Sequence, residues 1–173
     1  MIDTEGLPTC TAATLPAQAK RTCGNAFIGA GKVTAEIDFP EQPAFDATGP
    51  LMIFNGVSVH GRHPLLMYVF AEVPVPSTYV TEVTVAQHPT GPMLSARLPP
   101  IDGGYGHISS FDVSLERRFR TGGTSHSFLS AACPAPSGLP GASFTFARAR
   151  YSFADGTTLK GTILSHCAVK RSK

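Results

Sequence analysis

Apolar and polar residues alternate with a period of two along most of this chain. The clearest case lies between residues 32 and 39, where every second position is apolar: Val33, Ala35, Ile37 and Phe39. This pattern predicts a strand with one buried face. Two other segments, 51–57 and 65–70, are mostly apolar, which is typical of strands covered on both faces.

Similar extended segments recur along the whole sequence. About nine are predicted in all: 32–39, 51–57, 65–70, 78–86, 93–98, 108–119, 125–132, 142–153 and 157–165. The 17 glycines and 15 prolines fall mainly between them, where they mark turns. The prediction is one all-β domain over residues 1–173, an antiparallel β-sandwich or jelly roll with one short N-terminal helix.

The segment 142–153 changes its apolar face partway along. Phe144 and Phe146 share one face with Arg148 and Arg150, whereas the opposite face carries Ala147, Ala149, Tyr151 and Phe153. Such a switch predicts either a β-bulge or a strand that passes from one sheet to another. The arginine-bearing face is then an ordinary solvated surface or a site for anions or a partner.

Four cysteines lie near the two ends of the chain, at Cys10, Cys23, Cys133 and Cys167. Three pairings are possible, and the sequence favours the two local ones, 10–23 and 133–167. The first bridge clamps the predicted helix (10–24) and the second clamps a terminal strand pair (133–167). Zinc sites use closely spaced cysteines, which this chain lacks. Paired cysteines predict a secreted or cell-envelope protein whose leader peptide has been removed.

Charge and hydropathy narrow the classes of partner. Charged residues make up 15% of the chain and the formal net charge is +2, too small an electrostatic footprint for nucleic acid. No apolar run is long enough to span a membrane. The expected partners are therefore a second copy of the chain or a cell-surface component, and no cofactor is expected.

Two loops carry candidate chemistry. His60 and His63 are three residues apart and could share a metal ion, but no third ligand is indicated nearby. A polar hairpin tip is the simpler interpretation. The Gly-rich loop 102–107 carries Asp102, Tyr105 and His107, which suit acid–base work or ligand contact. A loop that only joins two strands is the simpler interpretation.

No catalytic residues are predicted. Ser110, His107 and Asp112 have the residue types of a catalytic triad and lie close together in sequence. Triads are recognised by geometry, however, and not by proximity in sequence. A hydrolase using the 102–107 loop therefore stays an alternative.

Several short blocks resemble a group of uncharacterised secreted, cysteine-paired, β-rich proteins from high-GC bacteria. The blocks are 10–31, 129–133, 144–146, 153–157 and Cys167. The resemblance spans most of the chain but rests on cysteines, a turn and aromatic residues. It implies export and paired cysteines, and it brings no catalytic residues because no function is known for that group.

The function expected from these observations is non-enzymatic. The leading hypothesis is an extracellular or cell-envelope structural or interaction module that self-assembles. A carbohydrate-binding module is a second hypothesis, although the chain has no Trp and four Tyr, which leaves few platforms for stacking sugars.

Overall fold

The computed structural model describes residues 2–16, 21, 23–59, 62–130, 134–135, 142–166 and 168–169. The chain divides into two compact units, Met1–Ser130 and Ala131–Lys173. Strands dominate both, and all but one pair of neighbouring strands run antiparallel. The predicted all-β, mainly antiparallel fold is therefore confirmed.

The first unit is built on a curled six-stranded sheet. Its strands are β1 (Phe27–Ile37), β2 (Phe45–Asn55), β3 (Leu65–Ala71), β4 (Ser77–His88), β5 (Gly91–Ala96) and β6 (Gly106–Leu115). They lie in the order β5-β4-β3-β2-β1-β6. A hairpin of β7 (Arg118–Thr121) and β8 (Thr124–Ser127) follows, and 3-10 turns occur at Gly24–Ala26 and Asp102–Gly104.

The second unit contains four further strands. They are β9 (Pro134–Ala135), β10 (Ser143–Ser152), β11 (Thr158–His166) and β12 (Ala168–Val169). β10 and β11 form an antiparallel hairpin, whereas β9 and β12 pair in parallel. The hairpin turn closes on Asp155, which accepts hydrogen bonds from the Thr157 amide at 2.9 Å and the Thr157 hydroxyl at 2.7 Å.

The described residues thus form twelve strands where about nine were predicted. One predicted strand, 108–119, is in fact two, because pairing with β1 stops at Leu115 and Arg118 begins a separate hairpin with β8. The short strands β9 and β12 account for the other two. Two residues are too few for a period of two to be visible in sequence.

The described residues contain no continuous helix where the N-terminal helix was predicted. The segment where it was expected includes residues 17–20 and 22, which lie outside the described part of the chain. None of the helical segments in the described residues has both the length and the hydropathy needed to cross a membrane.

The central strands are buried on both faces over residues 51–55 of β2 and 65–68 of β3, within the apolar runs that predicted this, whereas the first half of β2 alternates between buried and exposed residues. We call the face that carries Leu51, Ile53, Leu65 and Met67 the inner face; it packs against Leu7 and Phe128. The outer face carries Phe54, Leu66 and Tyr68, and it is covered by Leu15 and Ala26 and by the cysteines of the N-terminal segment, Cys10 and Cys23.

The N-terminal segment is attached to the end of β2. Cys10 pairs in parallel with Gly56, and the buried Asn55 side-chain amide donates hydrogen bonds to the carbonyl oxygens of Leu7 (3.3 Å) and Pro8 (3.1 Å). The predicted Cys10–Cys23 disulfide is present, with a Cα–Cα distance of 5.5 Å. Cys133 and Cys167 lie outside the described residues.

Glycines allow β6 to approach β1 closely. A Cβ at Gly29 would meet the Ser114 carbonyl oxygen, and one at Gly31 would meet that of Asp112. These glycines are required for close backbone approach of the two strands.

Candidate functional site

The inner face of the sheet holds a small cavity of about 60 Å³. Strands β1 to β4 and β6 contribute to it, together with the segment that leads from β5 to β6. Its lining includes Val33, Ala35, Ile37, Ala47, Gly49, Met67, Val69, Ala71, Tyr79, Leu98, Ile101, Asp102 and Ile108. The walls are almost entirely apolar, so the cavity can hold an apolar group without the cost of desolvating polar atoms.

Small side chains leave the space at the centre of the sheet. Ala35 and Ala47 lie opposite each other on β1 and β2, and Gly49 lies opposite Val33. On β3, Ala71 pairs with Ser77 of β4. Larger residues at these positions would fill the space that the curl of the sheet leaves open.

The loop after β5 closes one side of the cavity. Ile101 pairs with Gly106 and packs on Ala35, Ile37 and Ala47. The tight reversal between them uses positive φ angles at Gly103 (71°) and Gly104 (104°), and also at Asp102 (45°). A positive φ is uncommon for residues other than glycine, with Asn and Asp among the most tolerant.

Three of the side chains that line the cavity carry polar groups: Ser77, Tyr79 and Asp102. The Ser77 hydroxyl donates a hydrogen bond of 2.9 Å to the Val75 carbonyl oxygen. The Tyr79 hydroxyl donates a hydrogen bond of 3.2 Å to Asp102 Oδ1. Among the described residues that line the cavity, Asp102 is the one that carries a charge. The site therefore combines an apolar wall with a single carboxylate at its rim.

The three predicted residues of the 102–107 loop have different partners. Asp102 faces the cavity, whereas the Tyr105 ring packs against Phe39 with ring centroids 5.4 Å apart. His107 lies opposite Glu36 on β1, with Nε2 4.0 Å from Glu36 Oε1. The structure brings Asp102 and Tyr79 together, a pairing that the sequence did not indicate because 23 residues separate them.

The predicted histidine pair is only partly described. His63 is exposed, and His60 lies outside the described residues. Within the part of the chain that the structure covers, no three His, Cys, Asp or Glu side chains are grouped so that they could hold a metal ion.

A second polar pair joins the N-terminal segment to β8. His126 Nδ1 lies 2.8 Å from Asp3 Oδ2, and the His126 ring stacks on Phe119 at 5.3 Å. The hydrogen bond from His126, assisted by one from the Glu5 amide, lowers the pKa of Asp3 below its ordinary value. The two partners are 123 positions apart in the sequence, so no local pattern indicated that they pair.

The β10–β11 hairpin has one apolar and one basic face. The apolar face consists of three cross-strand pairs, Ala147–Ile163, Ala149–Gly161 and Tyr151–Leu159. The opposite face carries the basic residues in the pairs Arg148–Thr162, Arg150–Lys160 and Ser152–Thr158, and beyond the bulge it also carries Leu164. Ile163 is 61% exposed, Leu159 58% and Tyr151 55%. The change of face that the sequence indicated occurs at a bulge between Thr145 and Ala147.

Comparisons of this chain with protein-family models, with curated proteins and with solved structures found no match.

Proposed function

We propose that this protein is an extracellular, non-enzymatic interaction module that self-associates through the apolar face of the β10–β11 hairpin. The observation that carries the proposal is the exposure of Ile163, Leu159 and Tyr151 on that face. Contiguous exposed apolar side chains rimmed by polar ones mark association surfaces. An isolated two-stranded hairpin is also marginally stable in water, so a partner on this face would stabilise it.

The arrangement of charge favours a second copy of the chain as that partner. Arg148, Arg150 and Lys160 all lie on the opposite, basic face. Two hairpins that meet through their apolar faces keep these cations on the outside, where like charges stay apart and remain hydrated. Further stacking through the basic faces would bring like charges together, so the assembly ends as a pair.

The location outside the reducing cytosol is supported by the Cys10–Cys23 disulfide. Recognition of carbohydrate receives less support, because the cavity of the first unit is apolar and too small for a sugar ring. Hydrolysis by the 102–107 loop also receives less support, because Asp102 and His107 have different partners.

The association is tested by sedimentation velocity over a wide range of protein concentration. We expect a weak, concentration-dependent dimer, since a face of this size is below that of standard stable interfaces. Ile163→Glu places a charge in the interface and should leave the protein monomeric. The matched control, Thr162→Glu, adds the same charge to the neighbouring residue on the basic face and should still dimerise.

A second pair of variants checks that any loss of dimerisation comes from the added charge and not from local unfolding of the hairpin. Leu159→Lys and Thr158→Lys repeat the comparison at the other end of the hairpin with a positive charge. Amide NMR spectra check that the hairpin is formed in each variant. A wild-type protein that is monomeric at every concentration would refute the proposal, as would equal dimerisation of both members of each pair.

A further inference from the structure

The cavity of the first unit combines features that select for a particular ligand. Its walls come from apolar side chains of five strands, and its rim carries the Asp102 carboxylate. A carboxylate next to apolar surface is stabilised by a cation or a strong hydrogen-bond donor. The same carboxylate disfavours an anionic head group, because two like charges would approach each other.

Asp102 retains hydrogen-bonding capacity. A carboxylate offers two oxygens with about four acceptor positions, and the Tyr79 hydroxyl occupies one of them at Oδ1. Tyr79 thereby holds the carboxylate at the edge of the cavity. A donor on a ligand can bind the remaining acceptor positions without displacing Tyr79.

The size of the cavity limits the apolar part of the ligand. Its volume of about 60 Å³ is well below the roughly 150 Å³ of a cavity that holds benzene. An aromatic ring or a butyl chain is therefore too large, whereas an alkyl chain of two or three carbons is small enough to enter. The chain would lie over the small residues Ala47, Gly49 and Ala71 at the centre of the sheet.

We propose that this cavity is a binding site for short primary alkylamines, with the ammonium group against Asp102 and the alkyl chain on the inner face of the sheet. The site belongs to the first unit alone and is independent of the hairpin. It adds a small-molecule function to the interaction module.

The experiment compares three probes of equal length by titration against the ¹⁵N-labelled protein at neutral pH. The probes are n-propylamine, n-propanol and propionate. We expect saturable amide shifts at residues lining the cavity with the amine, binding at least about tenfold weaker with the alcohol, and no binding with the carboxylate. Absence of saturable shifts with n-propylamine would overturn the proposal.

Two variants test the position of the ligand. Asp102→Asn removes the charge while keeping a residue type that tolerates the positive φ at this position, and it should weaken amine binding at least about tenfold. Ala47→Val fills the centre of the cavity and should abolish binding of both amine and alcohol.

The matched control is Asp46→Asn. Asp46 neighbours Ala47 on β2 but is exposed, and it is absent from the cavity lining, so this variant should bind the amine like the wild type. Amide spectra and urea unfolding check that each variant is folded. If Asp102→Asn and Asp46→Asn reduce binding equally, the amine is held by general surface charge and the proposal is wrong.

Discussion

The central strands β2 and β3 and the hairpin strands β10 and β11 have opposite environments. Phe54 on β2 is 1% exposed, whereas Phe146 on β10 is 51% exposed. Both lie in antiparallel strands with alternating side chains. The difference comes from what covers them: the N-terminal segment packs on the outer face of β2 and β3, while Leu7 and Phe128 pack on the inner face.

This contrast shows that strand formation and core formation are separate requirements. A period of two is enough to pair β10 with β11 over nine register positions. Burial requires another layer of chain, because a sheet face leaves water only when a second element packs on it. In the first unit that layer is supplied by segments that are not themselves long strands.

The largest expected effect is the difference in unfolding free energy between alanine variants of Phe54 and Phe146. Phe54→Ala removes a fully buried ring that packs edge-on against Phe27 with centroids 5.8 Å apart. It should lower the free energy of unfolding by about 3–5 kcal/mol. Phe146→Ala should change it by about 0.5 kcal/mol or less, as is usual at exposed positions.

The measurement is urea unfolding followed by far-ultraviolet circular dichroism, at a protein concentration low enough to keep the chain monomeric. Similar losses of unfolding free energy in the two variants would show that the hairpin contributes as much to stability as the sheet. That result would contradict the contrast between the two regions.

The next effect concerns two glycines in equivalent mid-strand positions. Gly31→Ala forces a methyl group against the Asp112 carbonyl oxygen, so we expect a loss of about 1–3 kcal/mol as β6 is displaced from β1. Gly161→Ala on β11 would meet only the Ala149 methyl at 4.0 Å. It should be neutral or stabilise the hairpin by up to about 1 kcal/mol.

Hydrogen exchange rates of the β1 and β11 amides measure the change in local stability of each strand. Faster exchange in β1 for Gly31→Ala, together with unchanged or slower exchange in β11 for Gly161→Ala, would sharpen the comparison. Equal destabilisation of both strands would contradict the assignment of close backbone approach to the first unit alone.

The smallest effect depends on pH and involves Asp3. Because its pKa is lowered in the folded protein, the unfolded chain takes up the proton first as the pH falls. The stability that the Asp3–His126 pair adds is therefore present above pH ~4, the ordinary value for Asp, and is lost as the pH falls through the lower folded pKa.

Asp3→Asn should remove this acid-dependent part of the stability while leaving the rest of the pH profile unchanged. The measurement is the midpoint of thermal unfolding between about pH 2 and pH 7, with the same series on Asp46→Asn, an exposed carboxyl on β2, as control. A profile for Asp3→Asn that follows the wild type throughout would refute the role of the pair.

Local pattern was sufficient to predict the strands. The alternation around Val33 and the apolar runs of β2 and β3 are local signals, and the structure confirms each of them. The face switch near Phe146 also was visible, because a bulge shifts the period of two by one residue. The break at Leu115 was missed, since it depends on where pairing with β1 stops.

The candidate site was predicted only in part. Asp102 was chosen for its place in a Gly-rich loop, and the structure places it beside the cavity. Its partner Tyr79 lies on β4, far from Asp102 in the sequence. The small apolar residues of the cavity lining are Ala and Gly, which have no functional group that would mark a site in a sequence. Cavities arise from how strands curl together, which no local pattern records.

The position of β6 in the sheet has a consequence for the order of folding. Strands β1 to β5 pair with their neighbours in sequence, so each hairpin can form as soon as its second strand is available. β6 returns past four strands to pair with β1, and this long-range closure is the slow kind of contact in a sheet protein. Until it forms, the edge of β1 is open to other chains. During synthesis, β1 therefore exposes one unpaired edge for the time needed to translate the residues from β2 through β6.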